Sequence, residues 1–127
     1  MELPITSVLA ALFAAGLVAL SFPVSARRIK VQADLGHADD EVLYRRIRTQ
    51  GNFVEYAPMG LIVVGLMELG GAGTAMVWAV AGALALGRLF HATGMLIRMV
   101  PIRVAGMILT YSALLVGAAG LLRRALG

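Results

Sequence analysis

The stretch Arg48-Thr49-Gln50-Gly51-Asn52-Phe53-Val54-Glu55-Tyr56-Ala57-Pro58 leads into a long apolar run, yet it carries an arginine, two amides, a carboxylate and a phenol. Arg48, Asn52 and Glu55 are spaced i, i+4, i+7. On a helix they share one face and extend over roughly 10 Å at about 1.5 Å per residue. A small, extended, zwitterionic ligand matches that span. An ionisable side chain at membrane depth costs about 2.5–3.5 kcal/mol on insertion scales, so Glu55 is expected to face protein, ligand or water. Spacing leaves open whether Glu55 binds a ligand or pairs with an arginine of another helix to hold a bundle together.

The composition around this stretch fixes the solvent. The chain has 127 residues, 60% of them hydrophobic and 14% charged, which is too little polar surface for a soluble domain of this length. At about 20 apolar residues per crossing it accommodates four membrane helices with short loops. The expected fold is an all-α integral membrane four-helix bundle in a single domain, with helices near 3–26, 40–69, 74–97 and 104–122. There is no cysteine, so disulfides and thiolate metal sites are excluded and any thiol must arrive with a substrate. The net charge of +4 comes from basic residues scattered at segment ends, which fits lipid headgroups or an anionic substrate and not nucleic acid.

Upstream, the run from Leu3 to Ala26 has spanning length, with small residues at Ala10/Ala14 and Ala11/Ala15 that permit close helix packing. Val24-Ser25-Ala26 resembles a signal-peptide cleavage site, but the amino end carries Glu2 and no Lys or Arg, and the apolar run is too long. Arg27-Arg28-Ile29-Lys30 ends the segment at headgroups. The loop Gly36-His37-Ala38-Asp39-Asp40-Glu41 puts acidic residues at the start of the next helix, with His37 solvated and no metal-site spacing.

Downstream, Pro58 lacks an amide hydrogen and crowds the Val54 carbonyl, which predicts a bend beside Glu55. Glu68 precedes the turn Gly70-Gly71-Ala72-Gly73 and reads as an interfacial carboxylate, while Trp78 reads as an interfacial anchor. In the third segment Arg88, His91 and Met95 are spaced i, i+3, i+7 on one face. Alternating crossings bring them to the membrane side of Arg48. The last loop, Arg98-Met99-Val100-Pro101-Ile102-Arg103, precedes a helix with Gly106, Thr110, Ala113 and Gly117 as a small packing surface. Arg27, Arg28, Lys30, Arg45, Arg46, Arg48, Arg98 and Arg103 collect at one side, whereas Arg123 and Arg124 mark the other. The motif side is therefore expected to be cytoplasmic with both termini outside.

The pattern Arg48-x-Gln50-x-Asn52-x-x-Glu55-Tyr56-x-Pro58 resembles that of the MAPEG family, membrane-associated proteins of eicosanoid and glutathione metabolism that include the microsomal glutathione transferases. The likeness extends to Gly87-Arg88-Leu89-Phe90-His91-Ala92 and to the number of segments. It implies a glutathione transferase or glutathione-dependent peroxidase acting on lipophilic electrophiles, without a metal, assembled as a homotrimer with sites between subunits. For a bacterial-type member the compartment is the inner membrane. Arg48, Gln50, Asn52, Glu55, Tyr56, Arg88, His91 and Arg28 are then the expected glutathione-binding set, and Arg103 the catalytic cation facing the thiol, with Arg98 as its rival. Met95 stands where some animal members have a tyrosine, which removes one hydrogen-bond donor to sulfur. Two other classes fit the residues alone: a small proton-coupled transporter using Glu55, and a structural membrane protein whose polar groups only pair with one another. The first segment lacks an ionisable residue in its apolar core, which counts against the transporter.

Overall fold

A computed structural model of the chain describes residues 2–127 as four helices: α1 (Pro4–Val31), α2 (Glu41–Leu69), α3 (Thr74–Leu96) and α4 (Val100–Leu126). All four are long and apolar enough to cross a membrane. The outward faces carry large apolar side chains such as Phe22 and Leu115, exposed by 73% and 71%, as expected where the solvent is hydrocarbon.

The helix ends explain where the sequence expectations shift. Pro4 opens α1 at a position where a missing amide hydrogen is harmless. Leu3 offers no side-chain cap, and Glu68 of α2 supplies one: its Oε1 accepts from the Ile5 amide at 2.9 Å, and its Oε2 accepts from the Thr6 amide at 2.8 Å and the Thr6 hydroxyl at 2.6 Å. The interfacial carboxylate thus clamps two helices together. α1 continues five residues past Ala26 and ends at Gln32 in the left-handed conformation, with Arg28 and Lys30 in the last turn favoured by the helix dipole.

Asp40 caps α2, its Oδ1 accepting from the Leu43 amide at 2.6 Å, and Arg27 grips both carboxylate oxygens at 3.1 and 2.6 Å. The Arg27 guanidinium and the Leu43 amide hold the Asp40 carboxyl down to about 2 from 3.8. α2 remains one continuous helix through Pro58. α4 starts at Val100, four residues before the predicted boundary, because Pro101 suits a first helical turn; Arg103 is consequently helical.

α2 packs on all three other helices, α1 also touches α3, and α1 and α4 make no contact among the described residues. One core of buried residues runs from Ile5, Leu9 and Phe13 through Phe53, Val64 and Met67 to Val77, Leu84 and Ala113. Phe13 meets Phe53 edge-on with ring centroids 5.4 Å apart. The expected small-residue seam on α1 is outside this core, since Ala11, Ala14 and Ala15 are exposed. On α3 and α4 the seam is real. A Cβ on Gly94 would collide with the Arg103 backbone, and one on Gly106 with the His91 backbone, so the two helices approach as closely as glycine allows.

Candidate functional site

That close approach puts Arg103 one helix–helix contact away from His91 and Met95. Across from them α2 presents Arg48 and Asn52, and the three helices together wall an open cavity of about 640 Å³ at one end of the bundle. Its lining adds Glu41, Tyr44, Arg45, Gly94, Arg98 and Val100. Four arginines and one carboxylate share the wall, so the cavity favours an anion.

Each side chain is held by a nameable contact. Arg103 Nη1 donates to the Met95 thioether at 3.7 Å, which turns the guanidinium toward a sulfur. Asn52 accepts at Oδ1 from Arg88 Nη1 at 2.7 Å, which leaves its amide nitrogen to offer a ligand. Arg88 itself is only 2% exposed. Its Nε and Nη2 donate to Thr110 Oγ1 at 3.1 and 2.7 Å, Nη2 reaches Met107 Sδ at 3.3 Å, and the guanidinium lies 4.9 Å from the Tyr56 ring centroid. Thr110 in turn donates to the Gly106 carbonyl at 2.8 Å. Burying a guanidinium is tolerable only when its donors are met this fully.

At the mouth, Glu41 Oε1 accepts from Arg45 Nη2 at 3.0 Å and from Arg98 Nη2 at 2.6 Å. Arg98 has φ +62° and follows the C-terminus of α3, where the Met99 amide bonds back to the Gly94 carbonyl at 2.9 Å. Glycine usually fills that left-handed position, and an arginine there costs about 1 kcal/mol.

The structure therefore gathers Arg48, Asn52, His91 and Arg103 into one cavity, together with Met95 and Arg98. Arg88 stands behind Asn52 as a buried support. Tyr56 lies beneath Arg88 with its hydroxyl 3.2 Å from that of Tyr111. Gln50 turns to α1 and donates to Ser21 Oγ at 3.0 Å. Arg28 folds back on the α1–α2 loop, donating to the carbonyls of Ala33, Asp34 and Gly36 at 3.4, 3.4 and 2.9 Å. Glu55 is exposed one turn beyond Asn52 on the same face of α2, but it is not among the residues that line the cavity. Within one chain, these last five residues do not line the cavity.

Sequence reasoning missed Glu41, Tyr44 and Arg45 as cavity residues. The signal was present, for Arg45 and Glu41 extend the Arg48–Asn52 stripe backwards by one and two turns. Thr110 and Tyr111 carried no such signal, since Thr110 in a run of small residues reads as packing.

The MAPEG family model matches residues 6–123. The chain is also similar to the inner membrane protein YecN of Escherichia coli strain K12, at 35% identity over 111 residues that cover 87% of this chain and 85% of that protein. YecN of Escherichia coli O6:H1 strain CFT073 matches with the same identity and coverage.

Proposed function

The chain belongs to the MAPEG family, and from that premise we propose that it is a membrane-bound glutathione-binding protein that activates the thiol for transfer to, or reduction of, a lipophilic electrophile. The observation that carries this reading is the cavity that draws Arg48, Asn52, His91 and Arg103 together from three helices. Glutathione has two carboxylates, an amine, two peptide groups and a thiol. The cavity arginines match the carboxylates, and the Asn52 amide and Tyr44 hydroxyl match the peptide groups.

The chemistry needs a thiolate. At a cysteine-like pKa of about 8.5 only a few per cent ionises near neutrality, and lowering it by about two units raises that roughly twentyfold, for about 2.7 kcal/mol. Arg103, already resting against the Met95 sulfur, is the cation assigned to that work. The thiolate sulfur then bonds to the electrophilic carbon as the leaving group departs with its electron pair. With a lipid hydroperoxide it bonds to the terminal oxygen instead, the O–O bond breaks and the lipid leaves as an alkoxide that is protonated to the alcohol; a second glutathione then attacks the resulting sulfenic acid, giving glutathione disulfide and water.

Glu55 motivates the assembly. Its carboxylate is exposed at membrane depth with no hydrogen bond or ion pair among the described residues. In a homotrimer a neighbouring subunit covers this face, where the glutathione amine is the partner the carboxylate lacks. The relatives' name favours an inner-membrane location, and the clustering of arginines at the cavity end favours a cytoplasmic site.

Calorimetric titration of glutathione into the purified protein, repeated with Arg48→Ala and Glu55→Gln, tests the reading. Saturable binding that weakens about tenfold or more in each variant is expected, as for loss of a charge-assisted contact. Absence of saturable binding by the wild type rejects it.

A further inference from the structure

Glu41 is the one carboxylate in the cavity wall. It occupies the first position of α2, but Asp40 already caps that helix end, so capping does not require it. What it does is hold two of the four cavity arginines. Both bonds go to the same oxygen: Arg45 Nη2 and Arg98 Nη2 converge on Oε1. That is the arrangement in which two cations receive a ligand carboxylate.

The grip is easily exchanged. The Glu41 and Arg98 side chains are exposed by 73% and 60%, and exposed pairs contribute little net free energy. The backbone, by contrast, fixes the points from which the two arginines reach the cavity mouth, and Glu41 draws their guanidinium groups together. Arg45 rides on a regular helix, and Arg98 is set by the left-handed turn that closes α3, a conformation an arginine adopts only at a cost.

We propose that Glu41 is an internal stand-in for a ligand carboxylate: it keeps Arg45 and Arg98 converged, and the carboxylate of an anionic ligand entering the cavity displaces it. The inference rests on the glutathione reading and deepens it. It narrows the ligand class to thiols bearing a free carboxylate, and it makes Glu41 a specificity-determining residue that competes with the ligand.

The full-length protein in detergent is titrated calorimetrically with glutathione and with glutathione diethyl ester, whose carboxylates are blocked. Glu41→Gln is expected to bind glutathione about three- to tenfold more tightly than wild type, and to bind the ester within about twofold of wild type. Unchanged or weaker glutathione binding by the variant overturns the exchange. Loss of a negative charge raises anion affinity through space as well, so the substitution is repeated in an Arg45→Gln/Arg98→Gln background. There the gain vanishes if Glu41 acts through the two arginines, and an undiminished gain overturns the proposal. Failure of wild type and Glu41→Gln alike to bind glutathione overturns the glutathione reading, and the exchange with it.

Discussion

Arg88 and Arg103 illustrate how one residue type takes two roles through burial. Arg88 is enclosed and fully engaged by Asn52, Thr110 and Met107, so it organises the wall without reaching the cavity. Arg88→Ala leaves Asn52 Oδ1 without its donor and opens a cavity beside Thr110, and is expected to destabilise the protein by about 2–4 kcal/mol, read as a lower thermal unfolding midpoint in detergent. Arg103 lies on the cavity wall and is exposed. Arg103→Ala is expected to leave the fold intact while removing the thiolate ultraviolet absorbance of bound glutathione at neutral pH, with kcat/KM falling about tenfold or more. An undiminished thiolate signal in that variant refutes the assignment of Arg103. Arg88 was legible as an interruption of an apolar pattern, and Arg103 through the family resemblance. Which was buried was not, because that depends on Thr110, which lies 22 residues away in sequence from Arg88.

Element ends carry the next level of stability. Asp40 joins the start of α2 to the end of α1 through Leu43 and Arg27. Its carboxyl is held at about 2, below the ordinary 3.8, so its contribution is complete above the ordinary value and is lost as pH falls through about 2. Asp40→Asn is expected to lower stability at neutral pH, and the difference from wild type should shrink to nothing toward pH ~2 in acid-unfolding curves. A pH-independent difference would show that the Arg27 pair is irrelevant. Between α3 and α4 the determinant is steric. Gly94→Ala drives a methyl into the Arg103 backbone and is expected to destabilise the protein by about 1–3 kcal/mol. Moving α4 outward also displaces Arg103, so glutathione affinity should fall together with thermal stability. The acidic start of α2 and the small residues of α4 were readable from sequence, because capping and close packing use local residue types. The Glu68 clamp on α1 was not, since its partners Ile5 and Thr6 are 63 and 62 residues distant.

At the scale of the whole molecule, the bundle has a largely apolar exterior, with the arginine-lined cavity at one end and the Glu55 carboxylate exposed on α2. The proposed homotrimer would give Glu55 a partner that it does not have within one chain among the described residues. Crosslinking in mild detergent is expected to yield trimers, and Glu55→Gln is expected to weaken glutathione binding about tenfold or more while leaving the trimer in place. A purely monomeric pattern would contradict the assembly.

The sequence by itself determined the solvent, the number of crossings and the family. These follow from composition, run length and short fixed spacings, all of which are local properties of the chain. Only the tertiary structure decided that Arg48, Asn52, His91 and Arg103 share a wall while Gln50, Tyr56 and Arg28 bond elsewhere, and that Glu41 bridges two arginines. Helical periodicity fixes which side chains share a face, but the neighbour each face meets is set by how closely α3 and α4 approach and by which donors reach a buried acceptor first. Those are properties of packing between segments distant in sequence.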